Sequence, residues 1–319
     1  MEVVSGVGDG AFWVALVAIM LDRGVGAGGF ALAALVRLGP RALISAPAGV
    51  LADRVDRRRL LVGLDLARAV SMDVLALATT AGAPLTVLLG VVFVSYSLAA
   101  PYRPALTAAM PMVAGERDLS AANARVGTTR QVMTFVGPLV GAAVVSWWSS
   151  STAFWVDAAS FVAAAGLMAA THGLTGRSGR GDQKLAAHRV EWRRDMSGGW
   201  QDVRATAGLG VIAGLVFVMY AARGAELVLF ALTAQDRLGM GPAGTGVLTG
   251  AVGLGALLAM PAATRVAEAG RADLVMIGAV ASTALPMMAL GVIRSPVVAC
   301  AVLVVVGAGV VVFEVLSVV

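Results

Sequence analysis

The chain has 319 residues, of which 59% are hydrophobic and 13% charged, and its mean hydropathy is +0.86. Soluble domains average about 45–50% apolar and about 25% charged residues, so this balance excludes a soluble globular domain and makes the chain an integral membrane protein. The net charge of +5 and pI near 10.3 arise from arginines beside apolar runs. Membrane topology therefore accounts for them, and no nucleic-acid partner is expected. The single cysteine, Cys300, lies in an apolar run and excludes an internal disulfide.

About 20 apolar residues cross a bilayer as a helix, and on that measure ten spans follow in order. The first six run from about Val3 to Leu21, Gly28 to Ala52, Leu60 to Thr80, Leu85 to Leu106, Ala122 to Trp147 and Thr152 to Ala170. After a polar stretch, four more run from about Ala207 to Leu232, Ala243 to Ala263, Leu274 to Ile293 and Val297 to Val318. The expected organisation is a six-helix bundle over residues 1–171, a cytoplasmic linker over 172–205 and a partial, four-helix bundle over 206–319. With the N-terminus inside, the even-numbered loops and their flanks hold seventeen arginines and lysines. The opposite loops hold Arg23, Arg237 and Arg294, a bias that sets the orientation.

In the linker, Leu185, Trp192, Met196, Trp200 and Val203 recur at near-helical spacing among charged residues, as in an amphipathic helix lying on the inner surface. A faint repeat relates the halves. Pro47, Arg57 and Leu60 are spaced as Pro261, Arg271 and Leu274, which a parallel duplication of six-helix units would produce.

Between the second and third spans the chain reads Gly-Val-Leu-Ala-Asp-Arg-Val-Asp-Arg-Arg-Arg-Leu from Gly49 to Leu60. A short loop this rich in arginine belongs on the side that is not translocated. The spacing of Gly49, Asp53, Arg54, Arg57 and Arg58 resembles the loop motif of the major facilitator superfamily, Gly-x-x-x-Asp-Arg-x-Gly-Arg-Arg. Asp56 stands where that pattern has its second glycine. Asp tolerates left-handed geometry, so the turn is expected to survive the change.

Further stretches, Tyr102–Ala105, Leu119–Ala124, Gly137–Gly141 and Phe154–Phe161, look like those of bacterial exporter-type facilitators, the macrolide and siderophore exporters among them. Gly137-Pro138-x-x-Gly141 is similar to the core of the helix 5 signature of drug/proton antiporters. Ala142 and Met133 depart from it. A Gly-Pro pair within a span permits a bend, which suits gating or packing.

Ionisable groups inside spans are costly and mark functional positions. Asp9 lies in the first span between two glycines, with Arg37 and Arg41 of the second span as expected partners. Asp65 and Arg68, three residues apart, are expected to neutralise each other locally. Asp73 and Asp157 have no partner evident in the sequence. Arg223 and Glu226 share the seventh span, and Glu314 lies in the tenth. A proton-coupled exporter needs a carboxylate that is neutral in one state and charged in another, and Asp9 and Glu226, one per half, are the candidates. Asp9, Arg37, Arg41, Arg223 and Glu226 form the candidate proton and substrate site.

No nucleotide-binding loop surrounds the one lysine, Lys184, and Gly24–Gly29 matches a dinucleotide fingerprint without a preceding strand. Both histidines fall in the linker, so no catalytic constellation emerges and no metal or cofactor is expected. The resemblance implies an all-α major facilitator fold and a monomeric, multi-pass transporter in the cell membrane, exporting a small amphiphilic molecule by proton-coupled alternating access. Asp53 and the arginines after it would act as a latch between the bundles. A non-transporting scaffold or receptor is the alternative, as is an inactive fragment, since four spans in the second half predict two further spans beyond Val319.

Overall fold

The computed structural model describes the backbone of residues 2–171, 214, 226, 228–241, 243–267 and 272–316, and within them the side chains except at 2–4, 41–43, 45–54, 103–104, 107–124, 130–131, 264–267, 272–274 and 316. Among the described residues nine long helices are present: α1 (Glu2–Asp22), α2 (Ala27–Arg54), α3 (Arg57–Thr80), α4 (Leu85–Ala99), α5 (Tyr102–Trp147), α6 (Ser150–Ala170), α7 (Gly244–Ala267), α8 (Ala272–Ala289) and α9 (Pro296–Leu316). A π-helical turn, Thr233–Arg237, precedes α7. The expected seventh span lies largely outside the described residues, as does the whole linker with its amphipathic segment.

Among the described residues, four segments are long and apolar enough to cross a membrane: Ser5–Asp22, Ser150–Ala170, Gly244–Ala263 and Pro296–Val315. Shorter apolar helical stretches cover Ala27–Pro40, Leu85–Ala99 and Val275–Ala289. The boundaries between the fourth and fifth spans differ from expectation. The fourth helix stops at Ala99, and α5 begins at Tyr102 and continues for 46 residues. Arg103, Arg117, Arg125 and Arg130, expected in or beside a loop, therefore lie on a helix. Hydropathy registers a polar stretch as a break, whereas Ala, Leu, Met, Arg and Glu favour helix whether or not they are buried.

Among the described residues, two large apolar cores and two small clusters organise the packing. Phe12, Leu16, Phe30, Leu75, Leu88, Phe154 and Phe161 belong to one large core, built from α1 to α6. Leu248, Leu290, Leu303 and Phe313 belong to the other, built from α7 to α9 and the π turn. Helix α5 joins them, packing on α1 at one side and α7 at the other. Turns between helices are tied in matching ways. Arg23, just after α1, donates through Nη1 to the carbonyl of Ala83 in the α3–α4 turn at 2.7 Å. Arg237, just before α7, donates to the carbonyl of Gly291 in the α8–α9 turn.

Candidate functional site

Helices α1 and α3 both pack on α6, and charged residues of the three meet where they converge. Gly8 makes the approach possible. A Cβ there would collide with the Oδ1 of Asp157 and the Oγ of Ser160 on α6 and would lie 3.0 Å from Asp157 Cγ. One residue on, Asp9 accepts a hydrogen bond from Nη2 of Arg68 at 2.6 Å, an ion pair between side chains 46% and 9% exposed. The guanidinium carbon also stands 4.0 Å from the centroid of the Phe161 ring, a cation–π contact that helps offset its desolvation.

Two further carboxyl groups lie in this cluster, wholly buried. Asp157 is 1% exposed, and its Oδ1 is 3.2 Å from the Ser160 hydroxyl, which also donates to the Asp157 carbonyl at 2.8 Å. Asp65 is 0% exposed. Neither of its carboxylate oxygens, nor Oδ2 of Asp157, has a hydrogen-bond partner among the described residues. Arg68 is in electrostatic reach of Asp9, Asp65 and Asp157. The cluster thus gathers three carboxyl groups about one guanidinium.

This geometry corrects two expectations. Arg68 is bonded to Asp9 across two helices, and Asp65, three residues before it, makes no hydrogen bond to it. Residues three apart on a helix can meet, but the guanidinium bonds instead to Asp9 of α1. Among the described residues Asp9 is bonded to Arg68 and not to Arg37. That arginine instead lies with its guanidinium carbon 4.6 Å from the centroid of the Trp13 ring. The side chain of Arg41, Arg223 altogether, and hence their roles, fall outside the described residues. Glu226 is helical, half-buried and engaged by another group. It belongs to the other half of the chain from the cluster. Arg68, Asp65, Asp157 and Phe161 are not among the candidate residues of the sequence. Charge inside an apolar run is the available signal for the first three.

The loop motif becomes a tight connection. Gly49, Asp53 and Arg54 end α2 and Arg57 and Arg58 begin α3; the side chains of the first three are outside the described set. Asp56 does not adopt the left-handed geometry expected of it. Its φ is −54° and ψ 120°, and Oδ1 caps α3 by accepting from the Arg59 N–H at 3.0 Å. An aspartate here satisfies one of the free donors at a helix start and suits its positive end, which a glycine cannot.

Gly137 and Gly141 are points of closest backbone approach. A Cβ at Gly137 would sit 2.9 Å from the Gly6 carbonyl oxygen and 3.1 Å from the Gly10 Cα; one at Gly141 would sit 2.6 Å from the Ala11 Cα. Pro138 lies within α5, and its carbonyl faces Gly246 of α7. The motif therefore packs α5 on α1, and Gly246, Gly250 and Gly253 pack α7 against the other side of α5.

Long apolar helices in two cores, with a charge cluster enclosed among them, are the architecture of a multi-pass membrane transporter. The family of transmembrane secretion effectors, of the major facilitator type, matches residues 3–318, and the chain belongs to it. It is thus a secondary transporter of major facilitator fold, acting on small molecules in a membrane. Among solved structures it is similar to a crystal structure of a POT family transporter in complex with a thioalcohol-conjugated peptide. The TM-score is 0.69 at 12% identity, over 98% of this chain and 80% of that one. No curated protein matches the chain significantly.

Proposed function

We propose that the protein couples proton movement to the efflux of a small amphiphilic molecule across the cell membrane, by alternating access between bundles spanning residues 1–171 and 206–319. The observation that carries this reading is the half-exposed Asp9 paired with a buried Arg68. An accessible carboxylate can take a proton from water, and its protonation releases a guanidinium that two further carboxyl groups, Asp65 and Asp157, stand ready to receive. Proton uptake at Asp9 thereby changes which helices Arg68 holds together, α1 with α3 or α3 with α6. Intramembrane charges of this kind commonly form proton relays.

The arginine bias supports a cytoplasmic N-terminus. The α2–α3 connection, with Gly49, Asp53, Arg54, Arg57 and Arg58, then serves as a latch on the cytoplasmic face. The Gly137–Gly141 stretch serves as the point where α5 moves against α1. Glu226 is the carboxylate of the second half that completes the route, and the transporter works as a monomer.

Asp9→Asn tests the coupling, because an amide mimics only the protonated carboxyl. In proteoliposomes with an imposed pH gradient, the variant should lose proton-driven efflux and keep substrate binding. Efflux with unchanged pH dependence would remove Asp9 from the coupling and leave it a structural partner of Arg68.

A further inference from the structure

Arg37 occupies the inward stripe of α2. Phe30 and Ala33 are fully buried and Pro40 is buried, and positions 30, 33, 37 and 40 follow one helical face. The guanidinium is therefore turned into the protein, where it lies over the Trp13 ring at 4.6 Å. Asp9, one turn before Trp13 on α1, is already bonded to Arg68. No described carboxylate pairs with Arg37. A cation facing inward within a membrane span without an anion is costly, and a single aromatic face offsets only part of that cost.

A second unsatisfied donor belongs to the same ring. Trp13 is 6% exposed, and its indole Nε1–H has no hydrogen-bond partner among the described residues. Guanidinium and indole N–H together offer several donors and no acceptor, beside the buried ring of Phe12, whose centroid is 6.5 Å from that of Trp13. An anion with a flat or aliphatic body meets both needs, its oxygens taking the donors and its body lying on the rings.

We propose that Arg37 and Trp13 form the recognition point for the anionic group of the transported molecule, and that the substrates are amphiphilic anions bearing a carboxylate or a comparable oxyanion. The inference rests on the transport reading for its use, but the binding step it describes needs no transport. An anion seated there neutralises Arg37, and the Asp9–Arg68 pair remains free for the proton. Substrate and proton thus use separate groups, Arg37 on α2 and Asp9 on α1.

The experiment measures calorimetric binding to the 319-residue protein in lipid nanodiscs at pH 7, with empty nanodiscs subtracted. Three probes share one ring system: 1-naphthoate, the neutral 1-naphthamide and the cationic 1-naphthylmethylammonium. Wild-type protein should bind the carboxylate about tenfold more tightly than the amide, the scale of a hydrogen bond to a charged group, and the ammonium most weakly. Arg37→Gln should abolish that preference while keeping affinity for the amide. Arg37→Lys should retain part of it, and Trp13→Phe should weaken it. Equal wild-type affinity for acid and amide would overturn the proposal without recourse to any variant, as would an undiminished preference in folded Arg37→Gln. Loss of proton coupling in Asp9→Asn alongside absent anion preference would overturn this inference alone. Anion preference with unaltered coupling in Asp9→Asn would overturn the coupling reading alone.

Discussion

Exchanging either member of the Asp9–Arg68 pair should cost unequal amounts, because the two side chains are unequally exposed. Asp9→Asn strands a guanidinium whose side chain is 9% exposed, and removing one partner of a buried pair costs about 3–5 kcal/mol. The loss should fall near the bottom of that range, about 3 kcal/mol, since Phe161 still covers the cation. Arg68→Met strands Asp9, which is 46% exposed and can be hydrated, so that solvent screening reduces its share of the loss to about 1–2 kcal/mol; Asp65 and Asp157 lose the same countercharge. The double variant removes the pair as a unit and should cost less than the sum of the single changes, giving a coupling energy of about 1–3 kcal/mol. Asp65→Asn supplies the internal comparison. The Asp65 carboxyl has no hydrogen-bond partner to lose, so this change should leave stability level or raise it and should couple to Arg68→Met more weakly than Asp9→Asn does. Equilibrium unfolding by SDS titration in mixed micelles gives all six values. Additivity of Asp9→Asn and Arg68→Met within about 0.5 kcal/mol, or a larger coupling of Arg68 to Asp65 than to Asp9, would refute the assignment of the pair.

Close backbone packing sets a second expectation. Gly10→Val should lower thermal stability by more than about 2 kcal/mol, because the first added carbon would lie 2.6 Å from the Gly137 Cα, whereas Gly63→Ala, with open space around it, should be neutral or stabilising by up to about 1 kcal/mol; equal melting temperatures would contradict this. Asp56→Ala should cost about 1 kcal/mol through loss of the α3 cap and Asp56→Ser much less, as read by hydrogen exchange at the Arg59 amide. For topology, Ala81→Cys on a Cys300→Ala background should react in intact cells with an impermeant thiol reagent, and Ser178→Cys on the same background should not. The reverse labelling would invert the orientation.

Periodicity and hydropathy carry far in this chain because a bilayer constrains helix length so strongly. The α1, α3, α6 and α9 bounds fall within three residues of those expected, and the loop motif lies where a tight α2–α3 connection forms. The failures have a common cause. A local rule for pairing, three or four residues along one helix, selected Asp65 for Arg68, but the actual partner is 59 residues away. Nothing in one sequence orders α1 and α3 against each other. Asp56 was assessed for its backbone tolerance alone, when its side chain was the useful part. The fusion of a polar segment into α5 shows the converse. Solvent exposure and helix termination are separate matters, and hydropathy reports only the first.

The two arginine ties between turns concern how the molecule can move. Arg23 fastens the end of α1 to the turn after α3, and Arg237 fastens the start of the second core to the turn after α8. Each clasp stays within its own core, and no described clasp of this kind crosses from one core to the other. A hinge that opened inside either core would have to release a guanidinium from its carbonyl, whereas displacement at the α5–α7 contact breaks neither bond. The two clasps therefore brace each core from within, and neither of them binds one core to the other.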